Sequence, residues 1–315
     1  MSETHSAGKG RAVAIGNFDG VHRGHQALLG EVIRFAKEHH LEPAVLTFDP
    51  HPTAVVAPDR VPRQICSHEE KLRLLRAAGV THIEVLPFTA SVARLSPEQF
   101  VESILAGTLR ARAVFVGENF RFGNKKAGDC ETLRKLGVTH QYFAHCLKPV
   151  VYRGEVVSST SVRRYIETAR IVRANRLLAR PFSLSGPVVS GQGIGSKQTV
   201  PTLNLRPAPN QVLPPGVYVT RTRELSGSRH WQSITNVGTR PTFGGEDFTI
   251  ETYLLSRFEA PSPAAIAVDF LHHVRSERQF PSPVELRAQI LRDVGVANKY
   301  WRRVERWCEP RPSVY

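Results

Sequence analysis

The stretch that decides the fold reads GNFDGVHRGH and runs from Gly16 to His25. The apolar run Ala12–Ile15 directly before it predicts a buried parallel strand, and from Gln26 onward apolar residues recur at helical spacing. The stretch is therefore predicted to turn the chain from a strand into a helix. Glycines in such a turn let an anion approach the backbone closely, and the free N–H groups at the helix N-terminus attract phosphate.

Two histidines add chemistry to this turn. His22 and His25 are spaced i, i+3 and are predicted to share one helix face, where both imidazoles can donate hydrogen bonds to charge that develops on a phosphoryl group. A single histidine in this position is typical of capping or packing. The pattern His-x-Gly-His after Gly-x-Phe-Asp-Gly instead resembles the HxGH signature of nucleotidylyltransferases.

Length and cysteine content bound the class of protein. The chain has 315 residues, enough for two domains with cores that need no disulfide bonds. Its four cysteines are far apart and include no CxxC pair, so neither a zinc site nor a disulfide framework is predicted. They are Cys66, Cys130, Cys146 and Cys308. The segment Met1–Gly10 is polar and no later run is long enough to cross a bilayer, so a soluble protein of a reducing cytoplasm is expected.

The formal net charge of +14 favours anionic partners, which include nucleic acid, membrane surfaces and phosphorylated small molecules. The arginines are dispersed, and no basic stretch is interleaved with stacking aromatic residues. We therefore expect a solvated basic surface that binds small molecules, with neither a nucleic acid nor a membrane as partner. A homo-oligomer is left open.

The order of predicted elements indicates two domains. From residue 11 to about 145, strands and helices alternate, which predicts an α/β domain with a Rossmann-like parallel sheet. After a helical stretch over 161–178, short alternating strands predict a small antiparallel β-barrel, and a terminal helix begins at Ser282. The boundary is placed near Arg180-Pro181, which gives domains 11–180 and 182–308. The predicted strands are Ala12–Ile15, Ala44–Phe48, Ile83–Leu86, Ala113–Val116, Phe182–Val189, Thr202–Leu205, Gly216–Thr222, Trp231–Val237, Thr249–Leu255 and Ala265–Phe270, and the predicted helices of the first domain are Gln26–His39, Glu69–Ala77 and Pro97–Leu105.

Three further segments lie at strand ends or helix starts of the first domain: Thr47–Pro52, Val116–Gly123 and Ser158–Arg163. The hydroxyl residues from Ser158 onward suit an N-cap, which is a structural role. Arg163, one turn later, also allows a guanidinium to bind phosphate oxygens through two hydrogen bonds, and this favours a second phosphate contact.

In their order, these segments resemble the motifs GxFDGxHxGH, TFxPHP, VGxxFxFG and SSTxIR of the bacterial bifunctional riboflavin kinase/FAD synthetase family, over residues 11 to 308. The resemblance implies a nucleotidyltransferase domain that transfers AMP from ATP to FMN and releases pyrophosphate. Because the attacking phosphate is already an anion, the site would need alignment and charge neutralisation more than a general base. Asp49 is either a magnesium neighbour or a turn residue.

The resemblance also assigns residues of this first site. His22, His25 and Arg163 would bind the ATP phosphates as catalytic residues. The supporting ATP contacts would be Gly16, Asn17, Phe18, Asp19, Gly24, Ser158, Ser159 and Thr160, and the FMN contacts would be Asn119, Phe120 and Phe122.

A second group of motifs lies in the predicted barrel. The glycine string Gly191–Lys197 precedes Pro201–Asn204, which reads PTLN and resembles the PTAN motif of riboflavin kinases. The resemblance implies that Thr202 and Asn204 bind Mg²⁺, whose preference for oxygen ligands they suit, and that Glu251 accepts the proton of the riboflavin 5′-hydroxyl. The implied ATP contacts are Gly191, Gly193, Gly195 and Lys197.

The chain departs from this family at two places. Thr199 stands where the family often has a glycine, and Ser256–Pro263 replaces an Asp-rich turn. Three interpretations follow from the sequence. The first is a bifunctional enzyme that makes FMN from riboflavin and then FAD. The others are an FMN adenylyltransferase with a weakened kinase barrel, and a nucleic-acid-binding regulator with a flavin-sensing fold.

Overall fold

The computed structural model describes residues 10–189, 202–242, 245–256 and 261–308. The chain divides into two compact units, Met1–Ser159 and Thr160–Tyr315. The domain boundary near Arg180-Pro181 stays a prediction.

The first unit contains a five-stranded sheet in the order β3-β2-β1-β4-β5, and all of its neighbouring strands are parallel. The predicted parallel sheet is therefore confirmed. A short antiparallel hairpin, β6 and β7, follows it. The strands are β1 (Arg11–Ile15), β2 (Glu42–Asp49), β3 (His82–Pro87), β4 (Ala111–Gly117), β5 (Phe143–Leu147), β6 (Val151–Tyr152) and β7 (Glu155–Val156).

The first strand is apolar because both faces of the sheet are covered. Val13 and Ile15 belong to one hydrophobic cluster, and Ala12 and Ala14 belong to another. Successive side chains of a strand point to opposite faces, so the two clusters lie on the two sides of the sheet.

Helices supply these two layers, and local signals mark where several of them begin. Ser67 accepts a hydrogen bond from the Glu70 N–H, and Ser96 forms a full capping box with Gln99. The predicted helix Pro97–Leu105 continues further than expected, through a π-helical stretch at Val101–Thr108. The helices of this unit are α1 (Arg23–Glu38), α2 (Pro52–Val56), α3 (His68–Ala77), α4 (Ala90–Ala93), α5 (Pro97–Phe100) and α6 (Cys130–His140).

One expectation about the cysteines is wrong. Cys130 and Cys146 form a disulfide, although the wide spacing of the cysteines predicted none. Cys130 is the first residue of α6 and Cys146 lies in β5, and their Cα atoms are 6.2 Å apart. The pairing depends on how α6 returns to the sheet, which the sequence spacing does not reveal. Cys66 is buried, takes no part in a disulfide, and its Sγ accepts a hydrogen bond from the Gly20 N–H.

The second unit begins with two helices, continues as a closed barrel of strand order β10-β11-β12-β9-β8-β13, and ends in a long helix. The predicted antiparallel barrel with a terminal helix is confirmed. Its elements are α7 (Ser159–Glu167), α8 (Ile171–Leu178), β8 (Phe182–Val189), β9 (Thr202–Leu205), β10 (Gly216–Glu224), β11 (His230–Thr242), β12 (Gly245–Leu254), β13 (Ala265–Arg275) and α9 (Pro283–Cys308).

The barrel encloses a chain of hydroxyl groups as well as apolar side chains. Thr220 lies within 2.8 Å of both Ser233 and Thr235, whose hydroxyl is 3.0 Å from that of Thr252, and all four residues are fully buried. Each hydroxyl can both donate and accept, so these buried polar groups are satisfied by one another. On the outer face of the barrel, Val217, Val219 and Ile234 pack against α9.

In the described part of the chain, we find no helix whose length and apolar content would allow it to span a membrane.

Candidate active sites

The first candidate site lies where the strand order of the parallel sheet reverses. The strands β1 and β4 are neighbours, but the strand that follows β1 in the chain, β2, lies on one side of this pair, and the strand that follows β4, β5, lies on the other. A crevice forms at the carboxyl ends of two such strands, and ligands bind there in open α/β sheets. The turn Gly16–His22 follows β1 and the loop Glu118–Asp129 follows β4, so both predicted motifs lie at this position.

The two histidines of the turn form a stacked pair. Their ring centroids are 3.7 Å apart and the ring planes differ by 14°. His22 is the N-cap of α1, with φ of −72° and ψ of 173°, and its Nδ1 accepts a hydrogen bond of 3.4 Å from the His25 N–H. With Nδ1 as the acceptor, a neutral His22 carries its proton on Nε2.

Gly24 makes room for this stack. A Cβ atom on Gly24 would lie 3.1 Å from His22 Cε1 and 3.2 Å from its Nδ1, which is closer than most real contacts. An alanine between the two histidines would therefore push the His22 ring by a few tenths of an ångström. At Gly20 the backbone has a φ of 77°, and a Cβ would meet Ile65 at 2.8 Å, so glycine is needed there.

Burial keeps His25 neutral. Desolvation, and in second place the charge of His22, hold the pKa of His25 well below its usual 6.5. Its Nδ1 is buried and has no hydrogen-bond partner in the described residues. At neutral pH this ring therefore offers one N–H donor and no positive charge.

Other residues of the turn stabilise its conformation through hydrogen bonds. The Asn17 side-chain Nδ2 lies 3.1 Å from His51 Nε2, and the Thr47 hydroxyl donates to the Asn17 carbonyl at 3.3 Å. Asp19 Oδ1 accepts from the N–H groups of Ile65 and Cys66, so this carboxylate joins the turn to the segment before α3. Phe18 is fully buried in the core, which leaves only its backbone for a ligand.

Ser159, the last residue of the first unit, contacts the turn. Its hydroxyl donates a hydrogen bond of 3.0 Å to the carbonyl of Asp19. Ser158 is half-buried beside it. Thr160 and Arg163 follow on α7 and belong to the second unit, and their predicted phosphate contacts stay predictions.

The predicted flavin residues have different surroundings. Asn119 is exposed and Phe120 is half-buried, whereas Phe122 is buried and packs on Phe100 with ring centroids 5.6 Å apart. Phe120 and Phe122 are stacked at 5.6 Å with an interplanar angle of 14°. Phe120 therefore offers the more accessible ring, and Phe122 supports it from the core.

A small cavity with a volume of about 20 Å³ lies beside this site, and no sequence motif predicted it. It lies at the ends of β1 and β2 and receives the side chain of Lys71 from α3. Its lining is mostly polar, and only Asn17, Asp19 and Asp49 of the lining residues were assigned or weighed as site residues from the sequence. The other lining residues are Phe48, His51, Gln64, Cys66, His68 and Lys71.

The second candidate site lies on the outer face of the barrel. Glu251 on β12 is directly opposite Asn204 of β9 on one side and Asn236 of β11 on the other. Paired residues of neighbouring strands point to the same face, so the three side chains form one row. Their neighbours Ile250 and Thr252 are buried, which directs Glu251 to the other face of β12.

This row borders a cavity of about 240 Å³ between the barrel and α9. Glu251, Asn236 and Tyr253 line it from the barrel, and Ile290 and Asp293 line it from α9. The Arg275 guanidinium, at the end of β13, donates a hydrogen bond of 2.9 Å to Asp293, which ties α9 to the barrel.

A third carboxylate lines the same cavity. Glu277 lines it, and a Cβ on Gly238 would collide with the Glu277 carboxylate. Gly238 is therefore needed for Glu277 to lie where it does. The arginine side chains of Arg275 and Arg278 flank the ring of Phe280 at 5.6 and 4.7 Å, which makes this wall both aromatic and cationic.

The residues available for a magnesium ion fit it by their chemistry. Thr202 and Asn204 are two apart on β9 and both are half-buried, with Leu203 buried between them, so both point to the face that carries Glu251. Hydroxyl, amide and carboxylate oxygens are suitable ligands for Mg²⁺. The described residues contain no group of three or more His, Cys, Asp or Glu that could hold a metal ion. The predicted ATP contacts Gly191, Gly193, Gly195 and Lys197 lie outside the described residues.

Comparison with known families matches both units. The family model for FAD synthetase matches residues 4–161, and the model for riboflavin kinase matches residues 178–301. A bifunctional riboflavin kinase/FMN adenylyltransferase from Escherichia coli K12 is 34% identical over 93% of this chain and 93% of its own length. The corresponding protein of Pseudomonas fluorescens is 32% identical over 92% of each chain. This chain belongs to the bifunctional riboflavin kinase/FMN adenylyltransferase family.

Membership of this family gives the chain both activities, because each of the two domains is present. The interpretation as a bifunctional enzyme is therefore confirmed over the two alternatives. Among solved structures, a protein described as a macrolide-efflux protein from Streptococcus pneumoniae has the same fold, with a TM-score of 0.83 and 26% identity over 92% of this chain and 94% of its own.

Proposed function

We propose that the stacked imidazoles of the first unit and the Glu251 row of the second are the two reaction centres of this flavin-forming enzyme. The first centre would join FMN to the AMP part of ATP, and the second would phosphorylate riboflavin. One observation supports this most strongly: the His22–His25 stack lies at the reversal of the strand order, where ligands bind.

In the first centre, the terminal phosphate of FMN attacks the α-phosphorus of ATP, and pyrophosphate leaves. His22 donates a hydrogen bond from Nε2 to the phosphate oxygens, and the neutral His25 donates from its remaining N–H. Asn17 and Ser159 hold the turn in place through their contacts to His51 and Asp19. These residues align and stabilise the reacting groups, and no protein nucleophile is needed.

In the second centre, Glu251 accepts the proton of the riboflavin 5′-hydroxyl while that oxygen attacks the γ-phosphorus of ATP. Thr202 and Asn204 would hold Mg²⁺, which would neutralise charge on the ATP phosphates. Asn236 lies opposite Glu251 and orients it within the row. The cavity beside the row has the size to take part of a flavin, and Phe280 offers a ring for stacking.

The proposal is tested with riboflavin, ATP and Mg²⁺, by measuring FMN and FAD chromatographically. We expect Glu251→Gln to reduce FMN formation by at least about 100-fold, since a lost general base is worth about 10²–10⁴. FAD formation from supplied FMN should stay within about twofold of wild type, because Glu251 lies in the other unit.

The matched control is Glu285→Gln, which removes an exposed carboxylate at the start of α9 and should leave both activities unchanged. An equal loss of both activities in Glu251→Gln would contradict two independent centres. FMN formation that survives the substitution would remove Glu251 from the mechanism. A cytoplasmic location and a homo-oligomer stay predictions from the sequence.

A further inference from the structure

Lys71 is the basic side chain of the small cavity at the ends of β1 and β2. It extends from the first turn of α3 and shares the cavity with Asn17, Asp49 and His51, which belong to the motifs that follow these two strands. Among the described lining residues it is the only lysine or arginine. No motif marked this position, because HEEKLRLL is typical of a solvated helix face.

The ammonium group of Lys71 has a neutral hydrogen-bond partner. Its Nζ donates to the Thr47 hydroxyl at 3.4 Å, and Thr47 is fully buried. The nearby carboxylates are engaged elsewhere: Asp19 accepts from two backbone N–H groups, and Asp49 lies 3.9 Å from His68 Nδ1. Burial lowers the pKa of Lys71, while Cys66, Asp49 and Asp19 act in the opposite direction. A partly desolvated cation whose direct hydrogen-bond partner is a neutral hydroxyl is suited to a ligand that brings an anionic group.

The aromatic surroundings indicate which ligand this is. Phe48 lines the cavity and also belongs to the hydrophobic cluster that contains Phe122 and contacts Phe120. Asn17 and Asp19, to which the resemblance assigned ATP contacts, line the same cavity, so it adjoins residues assigned to each of the two substrates. This is the position required for the FMN phosphate, which must meet the ATP phosphates. A flavin that reached from Phe120 past Phe48 would bring its phosphate toward Lys71.

We propose that Lys71 binds the 5′-phosphate of FMN and positions it for attack on ATP. This inference rests on the proposed function of the first centre. Lys71 supplies a positive charge to the nucleophile's phosphate through a charge-assisted hydrogen bond, and no bond to the lysine forms or breaks. Lys71 would therefore decide how well this centre distinguishes a phosphorylated flavin from riboflavin, which lacks the phosphate.

The test compares Lys71→Met with wild type in FAD synthesis from FMN and ATP. The methionine keeps most of the apolar stem and removes the charge. We expect the KM for FMN to rise by about 10- to 100-fold, as for a lost hydrogen bond to a charged group. The KM for ATP should stay within about twofold. Inhibition of this reaction by riboflavin should also stay within about twofold, because riboflavin makes no phosphate contact.

Two controls separate this role from a structural one. Lys37→Met removes an exposed lysine at the end of α1 and should leave the KM for FMN unchanged. Lys71→Arg keeps the charge and should recover much of the affinity for FMN. The riboflavin kinase activity of the same samples reports that the second unit is intact.

Any of the following results would overturn the proposal. A rise in the KM for ATP instead of FMN would place the lysine on the nucleotide side. Equal weakening of FMN and riboflavin, or equal damage from Lys71→Arg and Lys71→Met, would show that the side chain serves packing. If wild type forms no FAD at all, the function of the first centre fails, which is a different outcome from an unchanged KM.

Discussion

At the scale of single residues, Gly24 controls the imidazole stack. We predict that Gly24→Ala lowers the kcat of FAD synthesis by about two- to tenfold, since about 1 Å of displacement in a reacting site can cost about 10² and the His22 ring would have to move by a few tenths of an ångström. The added Cβ would lie 3.1 Å from the His22 ring and displace it. The measurement is steady-state FAD formation from FMN and ATP.

Gly30→Ala is the matched control, because a Cβ at this position of α1 meets nothing within 4 Å. It should keep full activity and stabilise the protein by about 0.5–1 kcal/mol through its better helix propensity. Full activity in Gly24→Ala would mean that the stack tolerates movement and that its geometry does not limit the reaction.

The sequence predicted the residues of this turn but not their arrangement. His22 and His25 were expected on one helix face, yet His22 precedes the helix as its N-cap and the rings meet by stacking. A spacing of three residues describes the helix, whereas the N-cap conformation depends on backbone angles that the spacing does not contain. Lys71 gave no signal because its role depends on where α3 packs, and the sequence around it fits an ordinary exposed helix.

At the scale of elements, the disulfide joins the start of α6 to β5. We predict that reduction lowers the free energy of unfolding of the first unit by up to about 3 kcal/mol, because the closed loop restricts the unfolded chain. The cysteines are separated by 16 residues. Denaturant unfolding with and without dithiothreitol, followed through loss of FAD synthesis, measures this difference.

The double variant Cys130→Ser/Cys146→Ser provides the control. Its stability should match that of the reduced protein and should not respond to dithiothreitol. The riboflavin kinase activity should be the same in all samples, because both cysteines lie in the first unit. A reductant without effect on the wild-type protein would refute the stabilising role of this bond.

Buried elements with a strong apolar pattern were predicted well, whereas the largely polar helix α6 and the short, half-buried strand β5 were not. The predicted strands Phe182–Val189 and Thr202–Leu205 have the observed bounds. The strands β1, β2 and β4 are longer than predicted, by one or two residues at each end that differs. No predicted element corresponds to α6 or β5. In α6, Leu133 and Gly137 are the buried residues among polar ones, and Gly137 is a poor helix former. It is required there because a Cβ would lie 2.7 Å from the Tyr142 carbonyl.

At the scale of the whole molecule, we expect that the net charge of +14 does not create a nucleic-acid-binding surface. Several arginines already pair with carboxylates: Arg221 and Arg223 bind Asp269, and Arg229 binds Glu224. We predict no binding of duplex DNA tighter than about 1 μM near physiological salt, since binding by dispersed charge weakens steeply as salt rises. Fluorescence anisotropy over a salt series measures it.

Retention of sub-micromolar affinity in that series would restore the regulatory interpretation as a second function. A shallow dependence on salt would have the same meaning, because it would show contacts other than those to phosphate. A steep loss of binding would leave the charge as a property of the solvated surface.

The hydroxyl chain inside the barrel also fixes the alignment of the strands around it. If β11 or β12 slid by one residue, the hydroxyl groups of Ser233 and Thr235 or of Thr252 would turn outward. Apolar side chains would then face Thr220, and buried hydroxyl oxygens would lose their hydrogen-bond donors. Such a slip would also move Glu251 away from Asn204 and Asn236. The buried hydroxyl groups thus fix the register of the strands. They thereby keep Glu251 opposite Asn204 and Asn236 on the outer face of the barrel.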